Sequence, residues 1–181
     1  MDTMTKTTVD PAADQLSGAG IIAAIKEAGI EYILSVPDLH TSKGLLFPIA
    51  NDPDLKLIRV CKEDECLGIA AGLSYGNKRA LILIQHTGFL YAQNAIRAVA
   101  VEQKLPICFM VGLLNNVPGQ SPQQSKRAGL RIVEPILDLW GIPRDILHSD
   151  ADLPRVAPAY RDAYENSHPT AFLIGRRPVA P

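Results

Sequence analysis

Ala80-Leu81-Ile82-Leu83-Ile84-Gln85 is an unbroken apolar run that ends in a polar, glycine-bearing turn, His86-Thr87-Gly88. A strand with one wet face alternates polar and apolar residues. This one does not, so both of its faces are expected in the core, as in the interior of a parallel sheet. Parallel neighbours need crossover connections, and the flanking sequence supplies helices for them. Upstream, Lys56 to Val60 reads as a strand and Glu63 to Tyr75 as a helix containing Gly68 and Gly72. Downstream, Tyr91 to Glu102 reads as a helix and Pro106 to Gly112 as the next strand.

The alternation continues to both ends. Ser17 caps a helix that runs to Ala28 and stops at Gly29, with Ile21, Ile22 and Ile25 on one face. Tyr32 to Val36 is the first strand, ended by Pro37, and Thr41 to Ile49 is a helical segment interrupted by Gly44 and Pro48. Residues 115–127 form a long polar loop. Loops of that length are often functional, and a solvated connector or subunit contact fits this one equally well. A short helix follows, with Pro135 in its first turn and its end near Trp140. Ile146-Leu147-His148 is a strand, Leu153 to Glu165 a helix and Ala171 to Ile174 the last strand. The expected class is α/β, a three-layer, doubly wound parallel sheet with right-handed crossovers. Residues 1–16 read as a flexible N-terminal tail and 17–181 as one domain.

The totals narrow the function. A chain of 181 residues can bury one full core. A net charge of −1 lacks the basic footprint of a nucleic-acid binder. Cys61, Cys66 and Cys108 cannot all pair and form no Cys-x-x-Cys, which points to a reduced, cytoplasmic protein. No apolar run reaches the ~20 residues of a membrane span. The N-terminus lacks the apolar stretch of a signal peptide.

Several motifs are excluded. Gly18-Ala19-Gly20-Ile21-Ile22-Ala23 fits a dinucleotide pattern, but no strand precedes it. There is no phosphate-binding G-x-x-x-x-G-K-[ST]. His40, His86, His148 and His168 have no metal-ligand spacing, so no metal site is expected in this chain. What remains are the polar turns at the strand ends: Pro37-Asp38-Leu39-His40, Lys62-Glu63-Asp64-Glu65, Gln85-His86-Thr87-Gly88 and Leu113-Leu114-Asn115-Asn116. A parallel sheet gathers all four on its ligand-binding edge. Taken alone, the acidic cluster is also what a helix N-terminus favours without any function. A lone histidine is ordinarily structural, but His86 ends a buried strand.

Three of these turns carry a resemblance. Ser35-Val36-Pro37-Asp38 comes first, then Lys62-Glu63-Asp64-Glu65 with Gly72 nine residues after Glu63, then Ile84-Gln85-His86-Thr87-Gly88. In that order they resemble the pyrimidine-binding domain of thiamine-diphosphate enzymes. The likeness is closest to sulfopyruvate decarboxylase α subunits and the N-terminal halves of phosphonopyruvate decarboxylases, and it runs from Ser17 to Arg177. It implies that Glu63 is the catalytic glutamate, hydrogen-bonded to N1′ of the cofactor's aminopyrimidine. It places Pro37, Thr87, Gly88 and Asn94 at the cofactor. It turns Asp38 and His86 towards the substrate, with His86 also a catalytic group, and His40, which has no firm counterpart in the family, is a substrate-side candidate beside them. Asp64 and Glu65 are read as helix N-terminal charges. His86 stands where the family has Asn, and Leu39 where it has Ser. An imidazole can supply a proton where an amide cannot, so the substrate stays open between sulfopyruvate and other small 2-oxo acids. Lys43, Arg97 and Lys104 can meet an anionic substrate, and each reads equally well as a solvated surface residue.

The family holds the cofactor's diphosphate through Mg2+, using Gly-Asp-Gly and a downstream Asn. This chain has no Gly-Asp-Gly. The resemblance therefore implies a β subunit that carries the diphosphate and Mg2+ site, and self-association of the pyrimidine domains into α2β2 or a multiple of it. The expected function is the α, pyrimidine-binding subunit of a two-component thiamine-diphosphate-dependent decarboxylase. Two alternatives remain open at this stage. One is a carboligase or C–C lyase subunit using the same cofactor. The other is a non-catalytic flavodoxin-like binding domain.

Overall fold

The computed structural model describes residues 15–180. Its strands are β1 (Tyr32–Ser35), β2 (Lys56–Arg59), β3 (Ala80–Gln85), β4 (Cys108–Gly112), β5 (Arg144–Leu147) and β6 (Thr170–Ile174). They form one sheet in the order β2-β1-β3-β4-β6-β5, with every pair parallel. The helices are α1 (Gly18–Glu27), α2 (Phe47–Ala50), α3 (Glu63–Tyr75), α4 (His86–Tyr91), α5 (Gln93–Ala95), α6 (Ala128–Trp140) and α7 (Val156–Asn166). A π-helical turn, Ser42–Leu46, leads into α2, and a π-helical segment, Ile96–Glu102, continues α5.

The unbroken apolar strands are explained by two cores, one on each face of the sheet. Leu81, Leu83, Cys108, Met110, Phe172 and Ile174 point to one face, where α1, the Ser42–Ala50 segment and α7 cover them. Their neighbours Ile82, Ile84, Phe109, Val111, Ala171 and Leu173 point to the other, under α3, α4 and α6. Each such side chain contributes about 1.5–3 kcal/mol on burial, so neither layer can be removed cheaply. This is the doubly wound parallel sheet that the apolar pattern implies.

Local chemistry sets the helix ends. The Ser17 hydroxyl accepts from the Gly20 N–H at 3.0 Å and starts α1. Gly29, at φ +75°, ends it in a conformation that side chains resist.

Three differences from the sequence expectation have a clear physical cause, besides shifts of two or three residues at the ends of β4, β5 and α7. Residues 1–14 of the expected tail lie outside the described residues, but Leu16 is fully buried and Ser17 bridges to Val179. His86, Thr87 and Gly88 form no turn: they are the first residues of α4, because a helix starting there buries His86 and Phe89. Pro135 sits in the middle of α6 rather than in its first turn. Burial of Leu130, Val133 and Leu137 on one face outweighs the hydrogen bond that the proline removes. Among the described residues, no helix is long and apolar enough to cross a membrane.

Candidate active site

The chain leaves β1 for the edge strand β2, then crosses back over β1 to β3. Such a reversal opens a crevice at the carboxyl ends of the strands, where α/β sheets bind ligands. The turns after β1, β2 and β3 meet there.

Glu63, Asp64 and Glu65 begin α3, and helical geometry sends them about 100° apart around the axis. Glu65 closes the helix end, its Oε2 accepting from the N–H groups of Cys61 at 3.0 Å and Lys62 at 3.4 Å. Asp64 buries Oδ1 where no hydrogen-bond donor meets it. Glu63 is left half-buried, without a hydrogen bond or ion pair among the described residues. Its side chain lies across Gly88: a Cβ at that position would fall 2.3 Å from Glu63 Cγ and 2.4 Å from Oε1. Glycine at 88 is thus a steric condition for the place Glu63 occupies. Burial, reinforced by the charge of Glu63, pushes the nearby Cys66 thiol up to about 12. That keeps Cys66 an inert packing residue.

His86 begins α4 on the other flank. It is 6% exposed, and its Nδ1 is enclosed without a partner. Burial holds its pKa below the ordinary value, opposed by the Gly112 carbonyl, reinforced by Arg127 and opposed by Asp38. The Gly112 carbonyl is near enough to act electrostatically but forms no hydrogen bond of normal geometry with the ring. His86 is therefore a neutral imidazole at neutral pH.

His40 is 5% exposed, with Nε2 3.1 Å from the Ile174 carbonyl. That contact places the proton of the neutral ring on Nε2. Burial lowers its pKa most, Asp38 and the Ile174 carbonyl oppose, and Arg177 and His86 add to the lowering. Its Cδ2 lies 3.0 Å from where a Cβ on Gly112 would sit. The two imidazoles thus flank Gly112.

The other expected site residues divide. Asp38 is occupied by its own loop. Oδ1 accepts from the N–H groups of His40 and Thr41, and Oδ2 from the Thr41 hydroxyl, all at 2.6 Å. It shapes the loop that delivers His40 and leaves no carboxylate oxygen uncommitted. Pro37 and Thr87 are exposed at the edge, and the Thr87 hydroxyl accepts from Gln85 Nε2 at 2.7 Å. Asn94 lies roughly two helical turns beyond His86, on the α5 segment that packs against α3, and its Oδ1 accepts from Arg97 at 3.0 Å. Arg97 also pairs with Glu102. Lys104 precedes β4 and therefore sits at the opposite edge of the sheet. Lys43 is exposed on the π-helical turn. Sequence reasoning did not single out Gly112, Gly129 and Arg127, which surround His86. Their only sequence signal is position: a strand end and the start of an amphipathic helix.

A surface depression of about 790 Å³ beside Ile22, Lys26, Pro48 and Asp52 shares no residue with this edge. Among the described residues, no group of three or more His, Cys, Asp or Glu side chains is placed to hold a metal ion.

No protein-family model matches the chain. Curated relatives do. The sulfopyruvate decarboxylase subunit alpha of Methanocaldococcus jannaschii is 30% identical over 157 residues, which cover 85% of this chain and 90% of that one. The subunit alpha of the same name from Methanothermobacter thermautotrophicus is 30% identical over 95 residues, 52% of this chain and 57% of that one. The sulfopyruvate decarboxylase of Methanosarcina acetivorans is 27% identical over 154 residues, 85% of this chain but 38% of the relative.

Proposed function

Because the chain belongs to the sulfopyruvate decarboxylase α-subunit family, we propose that it is the α subunit of a two-component, thiamine-diphosphate-dependent decarboxylase of a small 2-oxo acid such as sulfopyruvate. The observation that carries the site is Glu63. Of three adjacent acids, Glu65 is bound to the chain ahead of it and Asp64 turns inward, while Glu63 alone faces a glycine that a side chain would close. Family membership sets aside the non-catalytic flavodoxin-like reading. A relative with no subunit designation in its name matches this chain over 38% of its own length, which supports one chain of a two-part enzyme.

The residues fit a thiamine cofactor. Glu63 offers a free carboxylate for a ring nitrogen, and Gly88 keeps that approach clear. When bound, thiamine diphosphate supplies the electron sink for loss of CO2 from the 2-oxo acid. Glu63 would hold N1′ of the pyrimidine ring and share a proton with it. Pro37, Thr87 and Gly88 line the cofactor side. His40 and His86, both neutral, face the substrate side, and His86 can hold or donate a proton there. The diphosphate and its Mg2+ fall to a β subunit, and the pyrimidine domains pair into an α2β2 unit or a multiple of it.

The test is Glu63→Gln, assembled with the β subunit. The amide keeps the shape and loses the shared proton. Exchange of the cofactor's C2 proton with deuterium is expected to slow by orders of magnitude, while cofactor affinity falls much less. Wild-type exchange in the variant would overturn the assignment.

A further inference from the structure

We propose that the first turn of α6, with Arg127 and His86 beside it, seats the sulfonate at the far end of a 3-sulfo-2-oxo acid. This rests on the decarboxylase reading and deepens it, by placing the substrate's second anionic group on named residues of this chain.

The helix start is open. Arg127 precedes α6 and provides no side-chain cap, and the first turn holds no acidic residue. The Arg127 N–H is taken by the Ser125 hydroxyl at 3.2 Å, and the Leu130 and Arg131 N–H groups turn back to the Arg127 carbonyl. The Ala128 and Gly129 N–H groups have no hydrogen-bond partner among the described residues. Two adjacent free amides at a helix N-terminus favour an anion, and Lys126 and Arg127 are exposed beside them, while Arg131 donates its guanidinium to the Ser125 and Lys126 carbonyls at 3.0 Å.

A second and independent feature points into this turn. His86, 6% exposed, makes no hydrogen bond, although its ring is a strong donor and acceptor. Its Nε2 and Cδ2 lie 3.4 Å from the position a Cβ on Gly129 would take. Gly129 thus sets the free amides beside the imidazole edge, and a methyl there would rest in ordinary contact on Nε2. Nδ1 is enclosed, so Nε2 is the ring nitrogen a ligand can reach. An anion seated on α6 therefore fixes the ring proton on Nε2.

The position suits the reaction. His86 and Gly88 are two residues apart on α4 and so point to roughly opposite sides of it. Glu63 lies against Gly88, and α6 lies against His86. One flank of α4 thus serves the cofactor and the other the substrate with its anionic tail. A sulfonate presents three equivalent oxygens to three kinds of donor: backbone amides, imidazole and guanidinium. A carboxylate presents two.

The experiment titrates the full 15N-labelled chain with ethanesulfonate and, separately, with propanoate, which differ only in the acidic group. Saturable shifts of the Ala128 and Gly129 amide signals are expected, with ethanesulfonate bound more tightly than propanoate. Arg127→Gln is expected to weaken ethanesulfonate binding about tenfold, the scale of one charged hydrogen bond. Gly129→Ala is expected to weaken it to a similar degree without lowering Tm, because alanine suits a helix better while its methyl covers Nε2. The proposal is overturned if those two amides show no saturable shift. It is equally overturned if both variants bind like wild type, or if propanoate binds as well as ethanesulfonate. Glu63→Gln separates the two levels of reading: it is expected to slow C2 exchange and leave ethanesulfonate binding intact. A failed sulfonate site and a failed catalytic assignment therefore give different results.

Discussion

Gly88→Ala is the sharpest probe of how this edge is built. The new methyl would lie 2.3 Å from Glu63 Cγ, 2.5 Å from Cδ and 2.4 Å from Oε1. Ordinary contact needs about 3.5–4.0 Å, so the carboxylate arm must retreat by roughly 1.2–1.7 Å. Glu63 is half-buried and unpaired, so it can move. Moving it off its rotamer costs about 0.5–1.5 kcal/mol, while alanine in place of glycine within a helix returns about 0.8–1 kcal/mol. The net change in stability is therefore within about 1 kcal/mol. Catalysis has no such compensation, since a group misplaced by about 1 Å can lose about a hundredfold in rate. In the assembled enzyme, C2 exchange followed by NMR is expected to slow by about that factor with Tm nearly unchanged. In a Glu63→Gln background the same substitution is expected to add little, because both act through one carboxylate. Wild-type exchange in Gly88→Ala, or losses that multiply in the double variant, would refute the steric link.

Three further outcomes follow from the same structure. Burial holds the pKa values of His40 and His86 below the ordinary 6.5, so the unfolded chain binds more protons in the window below that value. Their contribution to stability is complete above pH 6.5 and is lost as pH falls through the folded-state values; Tm should drop between pH 7.5 and 5, and a flat profile would contradict this. Tyr160→Phe removes a buried hydroxyl that donates to the Phe109 carbonyl at 2.8 Å. A loss of about 1 kcal/mol, or roughly 2–4 °C in Tm, is expected by calorimetry, and no loss would show that the carbonyl is already satisfied by the sheet. Decarboxylation of sulfopyruvate should need thiamine diphosphate, Mg2+ and a second polypeptide, and turnover by this chain alone would count against the two-component reading.

How much of this was legible depends on whether a contact is local or distant. The β3 run announced its two buried faces because every residue in it is apolar, and α3 begins at Glu63 and ends at Tyr75 as its sequence suggests. The start of α4 was not legible. Thr87 and Gly88 are poor helix formers, so local propensity reads a turn, and the helix forms because His86, Gly88 and Phe89 are buried there. Lys104 could have been set aside from its place before a strand, which puts it at the amino edge. Asp38 could not, since only coordinates show both of its oxygens taken by the Thr41 loop.

The acidic cluster shows the same division in one place. Sequence presents Glu63, Asp64 and Glu65 as near-equivalent charges at a helix start, where the macrodipole favours all three. Helical geometry makes them unlike, and their surroundings decide their roles. Glu65 turns back to the chain ahead of it, Asp64 turns inward, and Glu63 turns across to another helix. The feature that singles out Glu63 is a glycine on α4, not anything within α3. His86 differs, since a methyl on Gly129 of α6 would meet its ring edge in ordinary contact at 3.4 Å. Gly88 therefore acts as an absent side chain, clearing space for one polar group on a different helix. A glycine read within its own helix looks only like a weak helix former, and its purpose becomes visible once the facing residue is known.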